Sequence, residues 1–196
     1  MKKYTAIVLA GLIVLFVSWT LIYEPYLQVQ SGIARASVSG DYSESLELIR
    51  EYRSSWPSYF MYNVLLLERF RLRLLYNEGV ASGMLGDISA AEAAFRESAQ
   101  SAEKRIAAPS LYNLALISIE RGQLEVARSL LSKSLAIAPS DMEAKVNLEL
   151  VIKRLGNEKI ERPTAGEKER AVPSEQWRDM PAINGKSAPG SRRSYL

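Results

Sequence analysis

The chain of 196 residues contains no histidine and no cysteine. That removes Ser-His and Cys-His nucleophilic sites, the common zinc sites and any disulfide framework. No Gly-x-x-x-x-Gly-Lys loop and no Gly-x-Gly-x-x-Gly turn is present to hold a phosphate or a dinucleotide. Aspartate and glutamate are abundant, but nothing in their spacing marks a catalytic pair. Catalytic residues, metal ligands, cofactors and a small-molecule substrate are therefore not expected. The residues whose type and spacing do suggest chemistry are amides. Asn77, Asn113 and Asn147 recur in related local sequences, and a primary amide offers both a donor and an acceptor.

Those local sequences belong to a longer repeat. Leu75-Tyr76-Asn77-Glu78-Gly79 matches Leu111-Tyr112-Asn113-Leu114-Ala115 at an offset of 36. Gly86-Asp87 falls where Gly122-Gln123 falls, and Ala91 and Phe95 take the places of Ala127 and Leu131. A fainter copy precedes them, with Gly40-Asp41-Tyr42 at the turn and Pro57 as far beyond it as Pro139 lies beyond Gly122. Downstream, Ala144-Lys145-Val146-Asn147-Leu148 restarts the first helix of a fourth unit, which ends near Gly156. Gly40, Gly86 and Gly122 supply permissive backbone between helices. Ala91, Ala127 and Gly79 are small where helix axes approach, and Leu114, Leu124, Leu131 and Leu135 follow helical spacing. Pro139 stops a helix, and Asp141 can cap the next.

This pattern, clearest between Ala108 and Asp141, resembles the tetratricopeptide (TPR) repeat, a pair of antiparallel helices with a 34-residue period. The resemblance covers residues 72–155. It implies an all-α, TPR-type α-solenoid of about three helical hairpins plus a capping helix, because one repeat cannot bury its apolar face alone. In TPR proteins the place held by Asn77, Asn113 and Asn147 faces the concave groove. A column of asparagines there is similar to the ladder by which some TPR domains hold an extended peptide. The same asparagines also suit packing between repeats. Tyr76 and Tyr112 lie beside the column, with Val80 and Leu116 one turn on. The groove so implied is apolar and amide-lined, without the Lys/Arg set that grips a C-terminal carboxylate. The segment from Asp141 through Asn147-Leu148-Glu149-Leu150-Val151, with the overall layout, is similar to the membrane-anchored TPR components of operons for MoxR-type ATPases and von Willebrand A proteins, the MxaK-like group. That resemblance implies a role in assembling or maturing another protein complex.

The N-terminus positions this domain. Met1-Lys2-Lys3 precedes an uncharged run, 4–23, bounded by Tyr4 and Tyr23 and about long enough to cross a bilayer as one helix. A cleaved signal peptide would have a shorter apolar region and a small-x-small site; the nearest candidate, Ser18-Trp19-Thr20, is poor. An uncleaved anchor is the reading taken, with a cleaved signal and a buried soluble helix as the alternatives. Trp19, Tyr23 and Tyr26 are expected at the far interface as an aromatic belt. Lys2 and Lys3 should remain cytoplasmic, placing a single-pass protein in the inner membrane with its repeats outside the cytoplasm, in the periplasm of a Gram-negative cell.

The helix pattern also predicts a second helix over 43–55, one long helix over 58–85, and further helices over 88–104, 110–121, 124–138 and 142–155. Arg69, Arg71 and Arg73 alternate within the long helix, either as a site for an acidic partner or as a solvated stripe with Glu68. The expected organisation is a stub at 1–3, a span at 4–23, a degenerate first repeat with the long helix at 24–71, and TPR repeats with a capping helix at 72–156. A disordered tail at 157–196 follows, rich in Pro, Gly, Ser and charge. It holds Trp177 as an aromatic anchor and ends in Ser194-Tyr195-Leu196, which a PDZ domain could accept. The net charge of +3 comes from the two ends, since residues 24–156 carry 15 Lys+Arg against 16 Asp+Glu. A nucleic-acid face is not supported. The expected partners are a protein or extended peptide and the lipid bilayer. The expected function is a membrane-tethered adaptor. The alternative is a structural subunit of a membrane complex, built in through the span and the long helix.

Overall fold

The computed structural model describes residues 2–64 and 67–160, and among these the chain is all helical. The first helix is continuous from α1 (Lys2–Ser18) through a wider π turn (Trp19–Tyr23) into α2 (Glu24–Ser39). Its apolar window is almost wholly uncovered, and the helix is long and apolar enough to cross a membrane. The π turn coincides with a Trp19–Tyr23 ring pair whose centroids are 4.5 Å apart. From this turn on the same helix changes role, and Ile22, Tyr26 and Ile33 enter a core.

Three helical hairpins then follow: α2 with α3 (Tyr42–Ser54), α5 (Glu68–Met84) with α6 (Ile88–Ser98), and α7 (Lys104–Glu120) with α8 (Leu124–Ile137). α9 (Met142–Ile160) packs on α8. Every hairpin turns on a glycine in the left-handed region, with φ of 78° at Gly40, 84° at Gly86 and 70° at Gly122. Side chains with a Cβ are strained there, so the residue type fixes where each hairpin reverses. Asp41, Asp87 and Asp141 cap the helices that follow, accepting from the N–H groups of Glu44, Ala90 and Ala144 at 3.0 Å.

The hairpins close by matched volumes. A Cβ on Gly79 would lie 2.7 Å from Cε1 of Phe95. Ala115 and Leu131, at the corresponding places of the next hairpin, are both fully buried. Burying side chains such as Phe95 and Leu131 contributes about 1.5–3 kcal/mol each.

The chain departs from the expected elements at four places. The helix expected over 58–85 is broken. α4 (Trp56–Tyr59) runs into a π segment (Phe60–Val64), and Leu67 adopts a non-helical φ/ψ of −83°, 61° before α5 begins. The break lets Met61 and Phe70 both reach the core formed by Ile22, Tyr26 and Tyr52, which one straight helix with apolar residues on several faces could not arrange. α6 stops at Ser98 rather than 104, and α7 starts at Lys104 with Pro109 inside it. α9 continues through Gly156 to Ile160. Tyr26 is not part of an interfacial belt: it is 1% exposed and packs edge-on against Phe70 and Tyr52.

Candidate functional site

Asn77 on α5, Asn113 on α7 and Asn147 on α9 lie along one line through the helix stack, but inside it. They are 4%, 1% and 8% exposed. Each amide meets a side chain from the preceding hairpin. Nδ2 of Asn77 donates to Oε1 of Gln30 on α2 at 3.3 Å. The Tyr76 hydroxyl and the Asn113 side chain lie within interaction range of each other between α5 and α7. Nδ2 of Asn147 donates to the Tyr112 hydroxyl at 2.8 Å. Gln30, Tyr76 and Tyr112 each precede a turn glycine (Gly40, Gly86, Gly122) by ten residues, so they hold one structural position.

These contacts form a polar ladder, hydrogen-bonded between α2 and α5 and between α7 and α9, with Tyr76 and Asn113 side by side between them. Leaving such groups unpaired inside would cost about 1–3 kcal/mol each. Oδ1 of Asn77 and Nδ2 of Asn113 have no partner among the described residues, so the ladder satisfies its amides only in part. Burial pushes the Tyr76 hydroxyl well above the ordinary tyrosine pKa, and the neighbouring Asn113 amide opposes this.

The structure therefore brings the expected groove residues together as packing. Tyr76, Val80 and Leu116 are buried with the asparagines, and Tyr112 is half-buried. The physical reason is that side chains reach across from the neighbouring hairpin, Gln30 to Asn77 and Tyr112 to Asn147, and cover the amides that a peptide would need. The arginine stripe is likewise engaged within the chain. Arg71 pairs with Glu97 at 2.6 Å and Glu68 at 3.2 Å, Arg73 pairs with Glu103 at 2.8 Å, and Arg69 lies over the Phe70 ring. Trp177 and the C-terminal Ser194-Tyr195-Leu196 lie outside the described residues. Among the described residues no group of three or more metal-ligating side chains comes together.

Two surfaces emerge that the repeat pattern did not single out. On α9, Ala144, Asn147 and Val151 are buried, while Met142, Val146 and Leu150 remain exposed at intervals of four. Helical spacing places Glu149 and Lys153 beside this row. The signal was present in the residues as a second apolar stripe on the final helix. The other surface is the exposed aromatic pair Trp56 and Tyr59 on α4.

Fold and site together define an all-helical protein made of successive hairpins, with one N-terminal helix long and apolar enough to span a bilayer. No protein family, curated protein or solved structure matches the chain.

Proposed function

We propose that this chain is a membrane-tethered adaptor of the TPR type, which holds a protein partner on the extracytoplasmic face and assists assembly or maturation of a protein complex. The observation that carries the reading is the repeat register. Turn glycines, small-to-large contacts and the Gln/Tyr–Asn ladder recur at corresponding places in successive hairpins. Stacked arrays of this kind present extended surfaces to other proteins. The absence of histidine and cysteine favours binding over catalysis. The amides are largely engaged in packing, so the partner surface moves to α9. Met142, Val146 and Leu150, bordered by a carboxylate and an ammonium, suit an amphipathic helix of the partner, seated as each helix of the stack seats the next. The alternative of a structural subunit rested partly on the single helix over 58–85, which the break before α5 removes.

The test is site-specific photocrosslinking in native membranes, with the probe at Val146 of the full chain and, as control, at Arg96. Adducts to a different protein at Val146, lost on Leu150→Glu and retained when residues 1–18 are exchanged for a foreign anchor, support the adaptor. Adducts to the chain itself alone, or loss of the adduct on anchor exchange, favour the structural subunit. No adduct at Val146 overturns the surface assignment.

A further inference from the structure

The exposed aromatics of α4 sit beside the end of the apolar N-terminal window. The uncharged run, residues 4–23, corresponds to about 30 Å of helix at about 1.5 Å per residue, the hydrocarbon thickness of a bilayer. With the N-terminal helix upright in a bilayer, the far acyl–headgroup boundary therefore falls on the Trp19–Tyr23 turn. Ile22 of that turn packs in the same core as Met61, with Tyr23, Phe60 and Tyr62 against it. α4 itself contacts the turn. The segment holding α4 is thus fixed at the height of the boundary rather than hanging from a flexible tether.

Its composition matches that height. From Ser54 to Leu67 the sequence has no charged residue and reads Ser-Ser-Trp-Pro-Ser-Tyr-Phe-Met-Tyr-Asn-Val-Leu-Leu-Leu. The charges that bracket it are engaged within the chain, Arg53 with Glu78 at 2.7 Å and Glu68 with Arg71 at 3.2 Å. Trp56 is 57% and Tyr59 65% exposed, although neighbouring Tyr52, Ser58 and Met61 are buried. Trp56 stacks on Phe60, with centroids 5.9 Å apart, which presents a rigid aromatic face. Tryptophan and tyrosine favour the headgroup level, where one end of the side chain is apolar and the other wet. Trp19 is also exposed, and the belt position expected for Tyr26 is vacated by its burial.

We propose that Trp56 and Tyr59 form a second membrane contact, an interfacial platform that seats the hairpin domain against the same leaflet that the N-terminal helix leaves. The occupant of this surface is the acyl–headgroup boundary of the bilayer. The proposal rests on the spanning reading of residues 4–23. A helix held at one point can swivel, whereas a helix and a lateral aromatic contact together fix the domain's tilt, and with it the direction in which α9 faces.

The chain has three tryptophans, Trp19, Trp56 and Trp177, which makes the test direct. The full chain is placed in phosphatidylcholine vesicles whose acyl chains carry bromine at graded depths. One variant keeps only Trp56 (Trp19→Phe, Trp177→Phe), and another keeps only Trp19 (Trp56→Phe, Trp177→Phe). Both must show the parent helical circular dichroism and melting temperature. The expected result is at least twofold quenching of Trp56 emission, strongest with bromine near the headgroup end of the chain, together with quenching of Trp19. Quenching of Trp19 with none of Trp56 overturns the platform and leaves the span standing. Quenching of neither overturns both. In a third variant, Tyr59→Ser with Trp56 retained should weaken Trp56 quenching; unchanged quenching would remove Tyr59 from the platform.

Discussion

The amide of Asn147 donates to the Tyr112 hydroxyl at 2.8 Å across the α7–α9 interface, which makes the last asparagine of the column a joint between repeats. Removing either partner should therefore cost folding stability. Asn147→Ala and Tyr112→Phe are each expected to lower unfolding free energy by about 0.5–1.5 kcal/mol, the net worth of the hydrogen bond that each removes. The double variant should cost less than the sum, with a coupling of about 0.5–1.5 kcal/mol in a denaturant-unfolding cycle. Additive effects would detach the two residues energetically.

Phe95 occupies the space that a side chain on Gly79 would need. Gly79→Ala should therefore destabilise by about 1–3 kcal/mol, even though alanine is the better helix former by about 1 kcal/mol on an open helix. Phe95→Leu, which imitates the Ala115/Leu131 pairing of the next hairpin, should recover part of that loss in the Gly79→Ala background. Thermal melts of the four proteins decide it. A Gly79→Ala protein as stable as the parent would show that the contact relaxes freely.

Gln123 stands where Asp41 and Asp87 stand in the other two turns, but it makes no side-chain cap. Gln123→Asp should add a bond to the backbone N–H of Val126 and stabilise α8 by about 0.5–1 kcal/mol. Asp87→Ala should cost about 1 kcal/mol by the reverse logic. The chemical-denaturation midpoint is the readout, and a fall in midpoint for Gln123→Asp would mean that the third turn is built differently.

How much of this was legible in the residues depends on what each constraint writes into sequence. A positive φ writes glycine, so Gly40, Gly86 and Gly122 marked the hairpin turns. A side-chain cap writes aspartate, as at Asp141. The asparagine column was visible, but residue type alone does not say whether an amide faces a groove or a neighbouring helix. That depended on Gln30, Tyr76 and Tyr112, whose partners lie more than thirty residues further along the chain. The break before α5 left no mark, because Leu65-Leu66-Leu67 contains no helix breaker and the deviation arises from what Met61 and Phe70 gain by packing. Pro109 misled in the other direction: it lies inside α7, while α6 ends about ten residues earlier, where Ser98 meets Ser110 at 2.8 Å.

The titration behaviour of the chain is set by what it lacks as much as by what it buries. With no histidine or cysteine, no side chain has an ordinary pKa between the carboxylates near 4 and tyrosine near 10, so stability should be flat between about pH 6 and 9. On the alkaline side, burial pushes Tyr52 up to about 12 and also raises Tyr62 and Tyr76. These hydroxyls hold their protons more tightly when folded, so their contribution is fully present below about pH 10 and is lost as pH rises from there toward 12. On the acid side, the Glu44 N–H and the Ser43 hydroxyl hold the Asp41 carboxylate below its ordinary value. That contribution is present above the ordinary carboxylate pKa and disappears as pH falls beneath it. Melting temperature followed by circular dichroism should trace a plateau with two falling arms, and Tyr52→Phe should soften the alkaline one. A slope through neutrality, or an alkaline arm unchanged in Tyr52→Phe, would contradict this assignment of the buried tyrosines.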